Sequence, residues 1–358
     1  MKILIACGGT GGHILPALRL AEELFLRRKD VSLFFLTGKR QIERRIIPPN
    51  FEVIALDAST IKIGREFITS CFRLLKTAFK SFFILLEYRP DVVVGFGGYA
   101  SFFVVFFAWF FRIKTIIHEE NVYMGKANRL LAYFVDRISL GFKETKNLFS
   151  IHKNKMVVTG NPLRSDFKKI NKERSLQYFG FLSDRFTILV MGGSQGSHKI
   201  NIEFLKTVLL LKDKIAFQII HLSGDYDYNF LNVEYNNIGI KWALFKFLDS
   251  MHYAFSSADL VICRAGAMTI SELIFFELPA IIIPYPYAYG HQIYNAGLLV
   301  DSGCAVLLED KQLDSHKLAE SILGLTQNPQ RLMAMRHNYN RLKSFTSTNL
   351  WDLVLSSN

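Results

Sequence analysis

The chain alternates short β-branched or aromatic runs with longer helical patterns along almost all of its 358 residues. Such alternation predicts parallel sheets that are covered by helices on both faces. Right-handed crossovers bring the strand ends to one edge, where ligands bind in open α/β sheets. The predicted strands are 2–7, 32–37, 51–55, 91–95, 114–118, 137–140, 156–159, 186–191, 216–221, 259–262, 279–283 and 304–308. The predicted helices include 15–29, 66–88, 198–211, 268–277, 292–302 and 314–326.

The pattern restarts in the second half of the chain. The strand at 187–191 ends in GGSQG, much as the N-terminal strand ends in GGTGG. Between them lies GNPLR at 160–164, followed by a polar stretch that continues to about Arg185. At roughly 150 residues per domain, the length also indicates two domains. We therefore predict two similar α/β domains that join near residues 161–165.

Composition limits the partners and the compartment. The formal net charge of +12 is compatible with a polyanion, an anionic membrane or phosphorylated substrates, and does not choose among them. The four cysteines are far apart, which favours reduced, buried thiols and a cytoplasmic setting over disulfides or zinc. The apolar run after Lys2 is too short for a signal peptide. The apolar stretch 102–111 is too short to span a membrane and predicts a buried helix.

Residues 7–13 read CGGTGGH, directly after a strand and just before a helical pattern. A glycine-rich turn lets backbone N–H groups approach an anion, and the helix N-terminus adds partial positive charge. Four glycines in five positions favour a pyrophosphate-binding loop over a plain tight turn.

A dinucleotide-dependent oxidoreductase is one alternative. The G-x-G-x-x-G/A fingerprint requires glycine or alanine where the chain has Ile14, and the second strand does not end in an acidic residue. NAD is therefore disfavoured. Lys39 and Arg40 leave NADP open, because they could meet a 2′-phosphate.

A serine hydrolase is another alternative. Gly192, Ser194 and Gly196 fit G-x-S-x-G between a strand and a helix, with His291 or His316 available downstream. However, Ser194 at a helix N-terminus serves equally well as a phosphate-contacting hydroxyl. A hydrolase would also leave the presence of two glycine loops unexplained.

Asp225-Tyr226-Asp227 spells the D-x-D motif of metal-dependent sugar transferases. Its turn-like surroundings favour a solvated acidic loop instead. No other His, Cys, Asp or Glu cluster has metal-ligand spacing, so we predict no protein-bound metal and no obligatory cofactor.

Seven motifs together resemble the MurG family of glycosyltransferases. They are CGGTGGH at 7–13, GFGGYAS at 95–101, HEEN at 118–121, GNPLR at 160–164, GGSQG at 192–196, CRAGAMTISE at 263–272 and GHQIYNA at 290–296. Each motif is weak alone, but the set is specific and spans nearly the entire chain. The resemblance implies a GT-B fold, in which two Rossmann-like parallel-sheet domains face each other across a cleft. The implied domains are 1–162, which binds acceptor and membrane, and 163–341, which binds UDP-GlcNAc, with a C-terminal helix at 342–358 that packs back on the first.

The same resemblance implies the activity. An inverting, metal-independent transfer moves N-acetylglucosamine from UDP-GlcNAc to the 4-hydroxyl of MurNAc-(pentapeptide)-pyrophosphoryl-undecaprenol, called lipid I, and makes lipid II for peptidoglycan synthesis. A related GT-B enzyme with a diacylglycerol acceptor and a non-catalytic UDP-sugar sensor remain alternatives.

Donor-site residues follow by matching positions to the family's motifs. Ser194 would lie near the diphosphate, Leu248 beside the uracil and Gln292 on the sugar hydroxyls, while Glu272 would accept both ribose hydroxyls. Arg164 suits the negative charge that develops on leaving UDP. The implied donor-binding set is Thr10, Gly11, Gly12, Asn121, Arg164, Ser194, Leu248, Ala267, Met268, Thr269, Ile270, Ser271, Glu272 and Gln292.

The acceptor side lies in the N-terminal domain. His13 is the predicted general base for the acceptor hydroxyl, because an imidazole with a near-neutral pKa suits that task. A helix-capping or phosphate-contacting role is the alternative for His13. The residues implied for the acceptor diphosphate are Gly8, Gly9, Gly97, Gly98 and Tyr99.

The sequence departs from the family pattern in three of the motifs. Glu120 stands in HEEN where the family commonly has glutamine, and Gly290 stands where a charged residue is usual. GGYAS is followed by two phenylalanines instead of small residues. These departures concern the donor-loop detail and the acceptor fit.

Because lipid I carries an undecaprenyl tail, the resemblance implies a peripheral enzyme on the cytoplasmic face of the bacterial inner membrane. Its implied partners are the anionic membrane surface and cell-wall synthesis and division proteins, with no nucleic acid. Apolar residues recur at helical spacing between basic ones, as expected of a helix in an anionic interface or of one packed against the sheet. The apolar set is Ile68, Phe72, Leu75, Phe79 and Phe82, and the basic set is Arg65, Arg73, Lys76, Lys80 and Arg89.

Overall fold

The chain forms two compact units, Met1–Arg164 with Ser344–Asn358 and Ser165–Lys343. The computed structural model describes residues 1–8, 11–38, 47–56, 67–149, 152–164, 167–287, 290–343 and 348–356. The first unit ends at Arg164, compared with residue 162 in the sequence prediction.

The first unit is built on a seven-stranded parallel sheet. Its strands are β1 (Lys2–Ala6), β2 (Ser32–Thr37), β3 (Glu52–Ala55), β4 (Val92–Gly95), β5 (Lys114–Glu119), β6 (Arg137–Leu140) and β7 (Met156–Val158). They lie in the order β3-β2-β1-β4-β5-β6-β7. The direction of winding therefore reverses between β1 and β4, and this switch point opens a crevice at the carboxyl ends of the two strands.

Helices cover both faces of this sheet. They are Gly11–Arg27, Phe67–Tyr88, Gly98–Phe110, Lys126–Leu131, Thr145–Leu148 and Leu350–Leu355, with a 3₁₀ turn at Lys153–Lys155. One core lies between β1 and the first helix, and the other lies beneath Gly98–Phe110. Val104, Val105 and Ala108 are buried there, which confirms the predicted buried helix, whereas Phe110 at its end is exposed.

The last helix returns to the first unit. Leu350, Leu353 and Val354 are buried in the same core as β1 and the helix Gly11–Arg27. Asn349 and Asp352 form a capping box, in which each side chain bonds the other residue's backbone N–H and fixes the helix start.

The second unit repeats the architecture with a six-stranded parallel sheet. Its strands are β8 (Phe186–Met191), β9 (Phe217–Leu222), β10 (Lys241–Phe245), β11 (Leu260–Cys263), β12 (Ala280–Ile282) and β13 (Ala305–Leu307). The order is β10-β9-β8-β11-β12-β13, so the switch point lies between β8 and β11. Two sheets of this kind confirm the predicted pair of Rossmann-like α/β domains.

The helices of the second unit cover its sheet in the same way. They are Lys172–Tyr178, His198–Leu211, Tyr228–Ile238, Met251–Ser257, Ala267–Phe276, His291–Asp301, Ser315–Thr326 and Pro329–Asn338, with 3₁₀ turns at Asp310–Gln312 and Tyr339–Arg341. Strand β10 and the helices Tyr228–Ile238 and Pro329–Asn338 were not predicted from the sequence. Across the described ranges, no helix has the length and apolarity needed to cross a membrane.

Candidate functional site

Two glycine loops of the first unit touch where β1 and β4 end. Gly98 has a φ of +81°, and a Cβ there would come within 2.7 Å of the carbonyl oxygen of Gly8. Gly97 has a φ of +89°, and a Cβ on it would lie 3.5 Å from Cε1 of His13. Only glycine adopts these conformations at so close an approach without strain. The loops therefore bring together Gly8, Gly97, Gly98 and His13, four of the predicted site residues.

The remaining residues predicted for these two loops are described only in part. Gly9 and Thr10 lie outside the described residues. Gly11 and Gly12 form the first turn of the helix Gly11–Arg27, immediately before His13. Tyr99 lies in the helix Gly98–Phe110, and the structure does not describe its side chain.

His13 pairs with Glu120, which follows the end of β5. The Nδ1 atom of His13 lies 3.2 Å from Oε1 of Glu120, and their side chains are 29% and 4% exposed. Burial lowers the pKa of His13, but the charge and hydrogen bond of Glu120 outweigh this effect, so the pKa is raised above 6.5. Burial raises the pKa of Glu120, and His13 partly offsets that shift. A buried carboxyl group thus holds one edge of a partly accessible imidazole.

Glu119, the neighbouring residue, holds the loop that follows β5. Its Oε1 accepts hydrogen bonds from N and Nδ2 of Asn121, at 3.0 and 3.1 Å. Its Oε2 accepts from N of Gly125 and Nδ2 of Asn128, each at 2.9 Å. Glu119 therefore folds the loop that follows β5. Asn121, a predicted donor-site residue, is held within this loop, and its carbonyl oxygen accepts from Thr145.

His118 is a structural residue in the same motif. Its Nδ1 lies 2.7 Å from Oγ of Ser139, and its Nε2 lies 3.0 Å from Oδ1 of Asn161. Burial lowers the pKa of His118 to about 4, so the ring is neutral near pH 7. Asn161 also donates to the carbonyl oxygen of Glu120, at 3.0 Å. The GNPLR motif therefore anchors the backbone beneath the His13–Glu120 pair, and Arg164 lies half-buried at its end.

In the second unit, the GGSQG loop follows β8 at the switch point. Gly196 has a φ of +77°, and a Cβ there would overlap the carbonyl oxygen of Ser223. The N–H of Gly196 donates to the carbonyl oxygen of Gly193 at 3.0 Å, which closes a turn with Ser194 exposed at its tip. The glycines let this loop pack tightly while its tip faces solvent.

Ser194 lacks the features of a hydrolase nucleophile. A nucleophile elbow holds its serine in strained backbone. The non-glycine residues with positive φ are Arg89, Arg112, His152 and Glu277, and Ser194 is not among them. Within the described residues, no hydrogen bond joins Ser194 to a histidine. The geometry favours a phosphate-contacting hydroxyl.

Arg264 connects the loops of the second unit, and no role for this residue was predicted from the sequence. This residue is 9% exposed and follows β11. Its NH2 group donates to Oγ of Ser197 at 2.8 Å, at the end of the glycine loop. Its NH1 group donates to Oδ1 of Asp310 at 2.5 Å and to the carbonyl oxygen of Ile283 at 3.1 Å. The sequence feature that could have identified Arg264 is an arginine directly after an apolar strand.

Gln292 supports the same region. Its Oε1 accepts from the N–H groups of Ala265 and Tyr285, at 3.1 and 2.8 Å. The side chain that was predicted to contact sugar therefore also joins the loops after β11 and β12. The neighbouring Gly290 caps the helix His291–Asp301 with a φ of +78°.

The helix Ala267–Phe276 begins immediately beyond Arg264. Ala267 and Ile270 are buried against the core, whereas Glu272 is half-buried on the second turn of the helix. The remaining predicted residues of this segment, which are also half-buried, are Met268, Thr269 and Ser271. Leu248 is buried in the loop after β10. The free N–H groups at this helix start form a site suited to an anion.

The two carboxylates of the D-x-D sequence have separate partners. Asp225 is exposed and lies 3.7 Å from Nζ of Lys246. Asp227 is buried, with Oδ1 2.7 Å from Nδ1 of His198 and Oδ2 accepting from Nδ2 of Asn201 at 2.7 Å. Asp227 therefore belongs to a structural network. In the described part of the chain, no three metal-ligating side chains converge. Lys39 and Arg40, the residues that left NADP open, lie outside it.

Comparison with known proteins places the chain among sugar transferases. The model of the glycosyltransferase family 28 N-terminal domain matches residues 3–140, and that of the family's C-terminal domain matches residues 187–348. The UDP-N-acetylglucosamine--N-acetylmuramyl-(pentapeptide) pyrophosphoryl-undecaprenol N-acetylglucosamine transferase of Thermodesulfovibrio yellowstonii is 38% identical over 94% of this chain and 92% of its own length. The enzyme of the same name from Syntrophus aciditrophicus is 39% identical over 94% of this chain and 92% of its own.

Solved structures share the fold. Acinetobacter baumannii MurG superimposes with a TM-score of 0.77 at 23% identity, covering 99% of this chain and 98% of that one. UDP-GlcNAc 2-epimerase from Neisseria meningitidis, bound to UDP-GlcNAc, gives a TM-score of 0.67 at 16% identity and covers 94% of both chains.

Proposed function

This chain belongs to the MurG group of glycosyltransferase family 28, and on that premise we propose how its residues transfer N-acetylglucosamine from UDP-GlcNAc to lipid I to make lipid II. The observation that carries the proposal is the accessible imidazole of His13, held by a buried carboxyl group beside the touching glycine loops. His13 takes the proton of the acceptor 4-hydroxyl as that oxygen attacks the anomeric carbon. The bond to UDP breaks, and UDP leaves with the electron pair.

The glycine loops of the first unit bind the acceptor diphosphate in this proposal. Their backbone N–H groups suit an anion, because glycine leaves no side chain in the way. Gly8, Gly97 and Gly98 supply this surface. Gly9 and Tyr99 stay predicted contacts of the acceptor diphosphate.

The loops after β8 and β11 bind the donor. The GGSQG turn and the start of the helix Ala267–Phe276 present N–H groups to the UDP diphosphate. Glu272 accepts the ribose hydroxyls, and Arg164 offsets the charge on leaving UDP. The remaining donor contacts follow the sequence prediction, without a bound metal.

A transfer assay tests the activity directly. Radiolabelled N-acetylglucosamine from UDP-GlcNAc is offered to a short-chain lipid I analogue and, separately, to diacylglycerol. We expect label to reach the lipid I analogue and not diacylglycerol. Tight UDP-GlcNAc binding by folded protein without transfer to lipid I would contradict the proposed acceptor.

The membrane surface of the protein is the exposed face of the helix Phe67–Tyr88. Among the described side chains of this helix, those that are buried are Thr77, Ser81 and Leu85. Five large apolar side chains of the helix face solvent, whereas an ordinary surface helix turns its apolar stripe towards the core. The exposed set is Phe72, Leu75, Phe79, Phe83 and Leu86.

Nearby residues extend this apolar face and give it charge. Phe82 turns inward and packs on Phe107 and Phe111, and Phe110 adds an exposed ring. Exposed basic residues on the same helix suit anionic headgroups, namely Arg73, Lys76 and Lys80. This face supports peripheral binding at the cytoplasmic side of the inner membrane. Cell-wall synthesis and division proteins stay predicted partners.

We expect the combined Phe72→Ser, Phe79→Ser and Phe83→Ser variant to lose roughly 100-fold in partitioning onto anionic phosphatidylglycerol vesicles, because three exposed rings no longer enter the interface. Stability should change little, since all three side chains are exposed. Vesicle sedimentation measures the partitioning. The matched control carries Phe230→Ser, Val233→Ser and Met333→Ser, which remove exposed apolar side chains of the second unit. Equal losses in both variants would contradict a specific membrane face.

A further inference from the structure

We propose that Glu120 is the positioning residue of the proposed base His13 and sets the pH range in which that base works. The inference rests on the proposed function, because it assumes that His13 takes the acceptor proton. It stands on the 3.2 Å contact between Nδ1 of His13 and Oε1 of Glu120.

The contact fixes the chemistry of the two ring nitrogens. When the Glu120 carboxylate accepts a hydrogen bond, Nδ1 of His13 carries the proton and Nε2 keeps its lone pair. Nε2 then accepts the proton of the acceptor hydroxyl. The resulting imidazolium is stabilised by the carboxylate, so proton transfer forms an ion pair instead of an isolated cation.

The carboxylate of Glu120 has His13 as its hydrogen-bond partner. Glu120 is 4% exposed, and within the described residues its carboxyl group bonds His13 alone. Its backbone is held independently, since Asn161 donates to its carbonyl oxygen. Glu119 cannot replace it, because four hydrogen-bond donors already occupy the Glu119 carboxylate.

Other groups near the pair have a smaller influence. Glu119 and His118 are the titratable groups that face it from β5. Gly97 approaches the His13 ring from the neighbouring loop, where an added Cβ would lie 3.5 Å from Cε1, and it carries no charge. Glu119 also raises the pKa of His13, but the charge and hydrogen bond of Glu120 raise it more. The MurG family commonly has glutamine at the position of Glu120. The effect of a carboxylate on the pKa of His13 is therefore a property of this chain.

We expect Glu120→Gln to move the acidic limb of the pH profile of kcat/KM about 1 unit towards lower pH. Loss of the negative charge lowers the pKa of His13, and the base becomes active at lower pH. A weaker base also reacts more slowly, so plateau kcat should fall about threefold to tenfold. The Glu120→Asp variant keeps the charge and should restore the limb towards higher pH.

The control is Glu22→Gln on the same helix as His13, where Glu22 bonds Arg19 and is partly exposed. The acidic limb of the kcat/KM profile of Glu22→Gln should match that of the wild type. Histidine-selective ¹⁵N NMR gives a second readout, because the resonance of His13 should titrate at lower pH in Glu120→Gln even if turnover is too slow to measure.

The outcomes separate the inference from its premise. The proposed role of Glu120 is overturned if Glu120→Gln changes neither the acidic limb of the kcat/KM profile nor the pH at which His13 titrates. This holds whether or not kcat falls. If His13→Ala keeps wild-type turnover, the premise that His13 is the base fails instead.

Discussion

Replacing His13 by alanine lowers kcat for transfer to a lipid I analogue by about 10²- to 10⁴-fold, the range that a positioned general base contributes. The KM for UDP-GlcNAc should change little, because the proposed role of His13 is to take the acceptor proton and His13 is not in the predicted donor-binding set. Steady-state transfer of radiolabelled N-acetylglucosamine measures both quantities.

The loss must be separated from misfolding and from a loss of binding. His13 is partly exposed and bonds only one described side chain, so thermal unfolding of the variant should remain close to that of the wild type. His316→Ala, which alters an exposed histidine of the second unit, is the matched control and should keep full turnover. A raised acceptor KM with unchanged kcat would instead assign His13 to phosphate contact.

The sheets were predictable because their strands are strongly patterned. Central strands such as β1 and β8 are buried on both faces, and their continuous apolar runs identify them. Strand β10 was missed because it lies at a sheet edge, where KWALF carries a lysine and only one buried residue. The helix Pro329–Asn338 was missed because it buries only Met335 and therefore has little apolar periodicity.

The sequence could not predict which way the apolar face of the helix Phe67–Tyr88 points. The spacing of Phe72, Leu75 and Phe79 predicted one apolar helix face, but not whether that face meets the sheet or the solvent. The structure shows that Phe72, Leu75 and Phe79 are exposed, whereas Thr77, Ser81 and Leu85 are buried.

The sequence predicted the motifs of the candidate site but not which of their side chains contact each other. The glycine loops follow directly from the strand ends, and the structure brings Gly8 and Gly98 into contact. His13 and Glu120 are 107 residues apart, so no local pattern joins them. The resemblance to the family marked Glu120 only as a departure from its motif, and the structure shows that this residue pairs with His13.

Arg264→Met should destabilise the second unit and weaken donor binding together. Removing a buried guanidinium breaks its bonds to Ser197, Asp310 and the Ile283 carbonyl, and loss of a buried ion pair costs about 3 kcal/mol. Lys199 remains 3.6 Å from Asp310 and limits the cost. For a unit of this size we expect the melting temperature to fall about 6 to 12 °C in calorimetry.

The same change should raise the KM for UDP-GlcNAc about tenfold, because Arg264 fixes the end of the GGSQG loop through Ser197. Arg264→Lys keeps the charge but lacks the forked guanidinium, whose two NH groups reach Asp310 and Ser197 separately, so it should recover part of the stability and little of the KM. Arg331→Met, an exposed arginine of the same unit, should leave both unchanged. A wild-type KM in Arg264→Met despite the lower melting temperature would mean that the donor loop keeps its shape without this arginine, and that the residue serves the fold alone.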